Sequence, residues 1–298
     1  MLYEDVALIF EGGGMRNAYT AAVVEALLRN DIVFPKAYGI SAGAALAAFY
    51  ASHDPARAKA TFTESVRKVD GNMLKNLVEG KGAFDLQYVL EGLSEENADE
   101  HNEWTFDFER LKHGEADVHI EAFDVDSGET VAWTRDDMRT MTDALERVRA
   151  SCSYPLFTPT TTIDGRRYVD GGMGESHGIC LHAAIRDGFR RFFVVRTQKR
   201  GYRMPELSME KRDAYRLAYA KHPKVVRALE DRPGAYNVLL DRLESLREAG
   251  DAYVFCPDDM PITYKTTDYE ALCSAYDAGL AQCGRELAAW KTWLDSNA

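Results

Sequence analysis

The chain has 298 residues, 46% of them hydrophobic and 28% charged. That is enough to bury a sizeable core, as one α/β unit or as two smaller domains. With 36 Lys and Arg against 48 Asp and Glu, the formal charge is −12. This excludes the basic field of a general nucleic-acid binder and disfavours non-specific adsorption to anionic lipid.

The longest uncharged, apolar-rich run, Tyr38 to Ser52, falls short of the roughly 20 residues that cross a bilayer. The N-terminus lacks a basic region followed by an apolar one and reads as the first strand of a fold. The five cysteines, Cys152, Cys180, Cys256, Cys273 and Cys283, contain no CxxC pair. The expectation is a reducing, cytoplasmic setting without a disulfide framework or a structural zinc.

Residues 5–11 (DVALIFE) read as a buried strand ended by three glycines, and 17–30 as a helix. A short strand over 36–40 and a small-residue helix over 42–52 follow. Strand–helix–strand–helix implies a parallel sheet covered by helices. From 54 to 112 the chain is mostly helical and polar. Residues 117–134 alternate around Asp126-Ser127-Gly128 and predict a hairpin. A helix is expected over 136–150, a second hairpin over 159–169 around Asp164-Gly165, and a helix over 179–187. An apolar strand follows over 191–196. Residues 205–249 are helical and charged, 252–257 a late strand, and 268–296 one long helix. Residues 199–250 hold 12 Lys/Arg and 8 Asp/Glu and read as a solvated helical surface. The composition shift near residue 200 marks the one candidate boundary.

Three motifs carry chemistry. Gly39-Ile40-Ser41-Ala42-Gly43 fits G-x-S-x-G at a strand-to-helix turn. Such a bend lifts a serine hydroxyl out of the sheet edge, and the following helix aims free N–H groups at developing negative charge. Read structurally, it is a tight helix entry capped by Ser41. Gly12-Gly13-Gly14-Met15-Arg16 also lies between a strand and a helix, and its glycines suit an anion or an oxyanion. It fails as a P-loop, with no Gly-Lys-Ser/Thr following. It fails as a dinucleotide fingerprint, with Asn17 at the third glycine position. As an oxyanion hole it would supply one N–H and Ala42 the other; as plain structure it is a turn needing positive φ.

A nucleophile needs a base. None of His53, His101, His113, His119, His177, His182 and His222 marks itself by spacing. Asp170-Gly171-Gly172 does: a carboxylate at a strand end, followed by glycines that allow close backbone approach. In water an aspartate with a pKa near 3.9 is a weak base, but burial raises it. Alone, D-G-G is a turn. Asp124-Val125-Asp126-Ser127-Gly128 hints at a calcium loop, but its glycine falls too early and no Glu closes it. The aromatic and Met residues along 202–219 have helical spacing and are expected in the core.

In this order, G-G-G-x-R, G-x-S-x-G and D-G-G resemble the patatin-like phospholipases, within them a bacterial soluble subfamily. The resemblance covers roughly residues 5–200, including Phe84-Asp85-Leu86 and Ala150-Ser151-Cys152-Ser153-Tyr154-Pro155. It implies a three-layer α/β/α fold with a mainly parallel central sheet and a helical C-terminal part: 1–200 a catalytic domain, 201–298 a mostly helical extension packed on it. It implies a serine acyl hydrolase acting on lipid or other acyl esters through an acyl-enzyme. Ser41 matches the nucleophile and Asp170 the general base and acid. Gly12, Gly13, Gly14, Arg16 and Ala42 match the oxyanion region, with Gly39, Gly43, Gly171 and Gly172 supporting the motifs. No cofactor or metal is implied, no nucleic-acid partner, and at most transient peripheral membrane contact.

Two departures stand out. Asn17 replaces a common Gly, and Asn tolerates left-handed backbone. Glu175-Ser176-His177-Gly178 replaces a run that usually holds Pro, which brings His177 near the expected site. Two other readings stay open. One is a Ser–His–Asp esterase on small soluble esters. The other is a non-catalytic acyl- or anion-binding protein.

Overall fold

The computed structural model describes residues 1–68 and 107–296. The motif Phe84-Asp85-Leu86, His101 and most of the polar stretch after 68 lie outside the described residues.

Strand β1 (Val6–Phe10) is buried along its whole length, as expected of a parallel strand covered on both faces. It leads through Gly14–Arg16 into helix α1 (Asn17–Arg29). Strand β2 (Lys36–Ile40) leads directly into α2 (Ala42–Ala51). Helices α3 (Pro55–Phe62), α4 (Ser65–Lys68) and α5 (Phe108–His113) follow. Next come β3 (Asp117–Asp124) and β4 (Thr130–Thr134). Asp124 ties their turn by accepting the N–H groups of Asp126 and Ser127 at 2.9 and 2.7 Å. That is turn chemistry, not a cation loop.

Helix α6 (Met141–Ser151) starts later than the periodicity predicts. Thr140 and Asp143 form a reciprocal capping box, while Arg135–Asp137 is a separate 3-10 turn. Strands β5 (Thr161–Ile163) and β6 (Arg166–Asp170), helix α7 (Leu181–Arg186) and strand β7 (Arg191–Val195) complete the middle of the chain. The charged stretch after 205 is two helices, α8 (Met209–Ala218) and α9 (Pro223–Ala249), with Pro223 starting the second. Several of its cations are paired, as in Arg212–Glu206, Arg216–Glu230 and Arg247–Glu244. Strand β8 (Ala252–Phe255) and helix α10 (Tyr269–Asp295) close the fold.

The sheet runs β5-β6-β3-β2-β1-β7-β8, with β4 also on β3. From β3 through β8 every pairing is parallel, while β4 and β6 join β3 antiparallel. Alternation divides the strands between two cores. Val6, Leu8 and Phe10 face α1, α2 and α10, and Ala7 and Ile9 face α7 and α9. The result is the three-layer α/β/α arrangement. Residues beyond 200 enter it deeply: β8 is hydrogen-bonded to β7. Helix α10 lies on α1, where a methyl at Gly279 would come within 2.2 Å of Tyr19 O. Among the described residues, no helix is long and apolar enough to cross a membrane.

The order of the strands switches sides at β1, with β2 and β3 on one side and β7 and β8 on the other. Open α/β sheets bind ligands outside the strand C-termini at such a switch point.

Candidate active site

Ser41 sits between β2 and α2 with φ 55° and ψ −134°. For a non-glycine residue this conformation costs about 1–3 kcal/mol. Neighbouring backbone enforces it. A methyl at Gly39 would lie 2.2 Å from Gly43 O, and one at Gly43 would lie 2.4 Å from Phe10 O. The Ser41 side chain does not cap the helix, which disposes of the plain-cap reading. Its main-chain N–H instead donates to the fully buried Ser151 Oγ at 2.8 Å. Ala42 opens the helix, where N–H groups have no main-chain acceptor.

The glycine loop lies against this turn. A methyl at Gly12 would come 3.1 Å from Ser41 Cβ. Gly12 N–H is committed to Gly178 O at 3.1 Å, so it is not a free oxyanion donor. The N–H groups of Gly13 and Gly14 have no acceptor among the described residues. Gly14, at φ 57°, takes the one left-handed turn of the loop. Asn17 is right-handed helical, so its tolerance of left-handed backbone is not used. Its side chain instead donates to Glu11 O at 3.2 Å.

Behind the loop a buried network fixes Glu11. Thr197 N–H donates to it at 2.6 Å, Tyr236 OH donates to it, and Arg196 stands 3.5 Å away. Arg16 forms no ion pair among the described residues, and its Nε is buried without a partner. Its guanidinium rests 6.0 Å from the Tyr264 ring centre.

Asp170 ends β6 and is 2% exposed. Register places it opposite Ala122 of β3, and its N–H donates to Ser153 O at 2.9 Å. Oδ1 accepts the Gly172 N–H at 2.8 Å. Burial pushes the carboxyl above its ordinary value, against the Ser41 hydroxyl, Arg232 and Gly172, which favour the anion. Oδ2 is buried without a partner in hydrogen-bond geometry. Ser41 and Asp170 are thus adjacent but not locked together. Gly171 allows the turn to sit on β3: a methyl there would meet Glu121 O at 2.1 Å. Cys152 also borders Ser41 and Asp170, and burial pushes its thiol well up, toward the neutral form.

Ser41, Ala42, Asp170, Arg16 and the three loop glycines line one cavity of about 660 Å³. None of the six described histidines lines it. His177 is half-buried at φ 50°, and burial and Arg232 lower its pKa. Its segment, lacking Pro, turns back through Gly178 to hold Gly12. The cavity also takes residues that the sequence reading placed in the core or passed over. Tyr202, Met204 and Tyr215 line it, as do Tyr264 and Lys265. Met209 is 77% exposed. Helical spacing separates one face of a helix from another but does not say whether a face meets a core or a cavity.

The family model for patatin-like phospholipase matches residues 8–180. The chain belongs to this family. A second family model, for a domain of unknown function, matches residues 222–295. The uncharacterized protein YjjU of Escherichia coli K12 is 26% identical over 203 residues, 64% of this chain. The chain spans about half the length of that relative, 52%. The crystal structure of VipD from Legionella pneumophila superposes with a TM-score of 0.50 at 12% identity. The match covers 98% of this chain and 67% of that one, and it supports the fold alone. The patatin-like match ends before β7. Arg232 and Tyr236, which reach the site from α9, therefore lie outside it.

Proposed function

We propose that the protein is a lipid acyl hydrolase in which Ser41 and Asp170 act as a dyad. The carrying observation is the strained Ser41 beside a buried, pKa-raised Asp170 in a cavity that no described histidine enters. As Ser41 Oγ attacks the ester carbonyl carbon, Asp170 takes its proton. The oxyanion faces the free N–H groups of Gly13, Gly14 and Ala42, where positive helix ends stabilise developing charge. The tetrahedral centre then collapses. The alcohol leaves with the proton from Asp170, and the acyl group stays on Ser41. Water attacks the acyl-enzyme, gives a proton to Asp170, and releases the carboxylic acid as Ser41 recovers its hydrogen. A raised pKa brings Asp170 closer to the working pH, so it can both accept and return the proton. One part of the cavity wall, formed by Ala45, Phe62, Val66 and Val148, is apolar and suits an acyl chain.

Intact-mass labelling with a fluorophosphonate tests this reading. The expected result is one adduct on the wild type, none on Ser41→Ala and strongly slowed labelling of Asp170→Asn. Loss of esterase activity in His177→Ala but not in Asp170→Asn would replace the dyad with a histidine relay. Absence of any adduct, with tight binding of a phosphorylated ligand, would favour an anion-binding protein.

A further inference from the structure

Arg232 lies in the part of the chain that the patatin-like match does not reach, on helix α9. It is half-buried, lines the cavity and forms no ion pair among the described residues. An unpaired guanidinium at such a place needs a partner or a task, because desolvating a charge is costly. Its Nε donates to Gly172 O at 2.8 Å, the turn that follows Asp170. A methyl at Gly172 would touch both groups, 3.0 Å from Asp170 Oδ1 and 3.2 Å from Arg232 Nη2. The two charges therefore lie near the roughly 4–6 Å range over which an opposite charge stabilises a carboxylate.

The next residue, Pro233, is buried inside α9. It has no N–H to give Leu229, so the helix ladder is interrupted where α9 passes over the turn.

We infer that Arg232 is a positioning residue: it clamps the Asp170-Gly171-Gly172 turn through Gly172 O and holds Asp170 ionised by charge. The inference rests on Asp170 acting as the base. Burial drives that carboxyl toward its neutral form, in which it cannot take the Ser41 proton. Within this family, the second matched region would then supply a working part of the site, and residues 201–298 would be more than an added layer.

The groups facing this pair are few. Ser41 comes from the start of α2, Cys152 follows α6, and His177 stands on the loop before α7. Tyr154 lies under the guanidinium, its ring centre 5.9 Å away, and Tyr215 comes from α8. Cys152 and Tyr215 are held neutral by burial. His177 has its pKa lowered, which leaves Arg232 as the cation beside Asp170 at neutral pH.

The test is the pH dependence of fluorophosphonate labelling at Ser41, from about pH 4 to about pH 9, for wild type, Arg232→Gln and Arg232→Lys. The sign follows from the charges. Removing the cation raises the Asp170 pKa further, so the acid limb moves to higher pH. The expected shift in Arg232→Gln is about one pH unit, hence about tenfold slower labelling on the acid side, with Arg232→Lys recovering part of it. Thermal unfolding of both variants checks that each is folded. A limb that stays in place in Arg232→Gln, or a loss equal at every pH, would overturn the electrostatic role. Failure of the underlying reading looks different: the wild type itself takes no adduct, or Ser41→Ala still takes one.

Discussion

Two glycine-rich turns leave neighbouring parallel strands, and they are built in different ways. The Gly39–Gly43 turn is closed on itself and on β1. Its glycines avoid backbone atoms of Gly43, Phe10 and Glu11, and the outcome is one strained serine. The Gly12–Gly14 loop is held from far along the chain. Gly178 takes the Gly12 N–H, Tyr264 O accepts the Met15 N–H at 3.3 Å, and a methyl on Gly13 would lie 2.7 Å from the Thr197 side chain. The first turn fixes the Ser41 backbone through its own atoms and those of β1. The second produces free N–H groups only because distant residues occupy the others.

Substitutions in the two turns should therefore fail differently. The largest effect is expected for Gly43→Ala. Its new methyl meets main-chain oxygens of Phe10 and Glu11 at 2.4 and 2.9 Å, which no side-chain rotation relieves. Loss of about 3 kcal/mol or more of stability is expected, read by chemical denaturation. A variant as stable as wild type would show that the turn can open.

Gly13→Ala keeps the N–H, but its methyl would lie 2.7 Å from Thr197, so the loop must shift; the misplaced donor should slow Ser41 labelling by about a hundredfold. Its obstacle is a side chain, Thr197, so the pair Gly13→Ala/Thr197→Gly should recover part of the rate. No recovery would mean that the loop backbone, and not Thr197, sets the position of the N–H.

The smallest effect is expected for Ser151→Ala. It removes the acceptor of the Ser41 N–H without touching the hydroxyl. About tenfold lower kcat with little change in KM is expected, since a buried donor without its acceptor costs about 1–3 kcal/mol. Ser151→Thr, which keeps a hydroxyl, should restore most of it. An unchanged kcat in Ser151→Ala would show that the turn is self-sufficient after all.

Most of the fold was legible because its signals are local. A short apolar run ended by three glycines marked β1, and a second short run before Ser41 marked β2. Asp-Gly and Asp-Ser-Gly gave both hairpins, since few other residues adopt those turns. The helix predicted over 136–150 begins at Met141 instead, because two caps compete in that stretch and periodicity does not rank them. The charged run after 205 hid a break at His222-Pro223. At the site, the proximity of Ser41 and Asp170 followed from motif order and family resemblance. The contributions of Arg232, Tyr236, Ser151 and Cys152 did not, because each meets the site through packing between elements remote in sequence.

The sequence by itself determined which residues can bend, break or react. The glycines at 12–14, 39, 43, 171 and 172, the serine between a strand and a helix, and the aspartate at a strand end are properties of short segments. Only the tertiary structure decided which N–H groups stay free, how deeply Asp170 is buried, and which cation stands beside it. Burial and charge act through space, and Ser41 and Arg232, which act on Asp170, stand far from it in sequence.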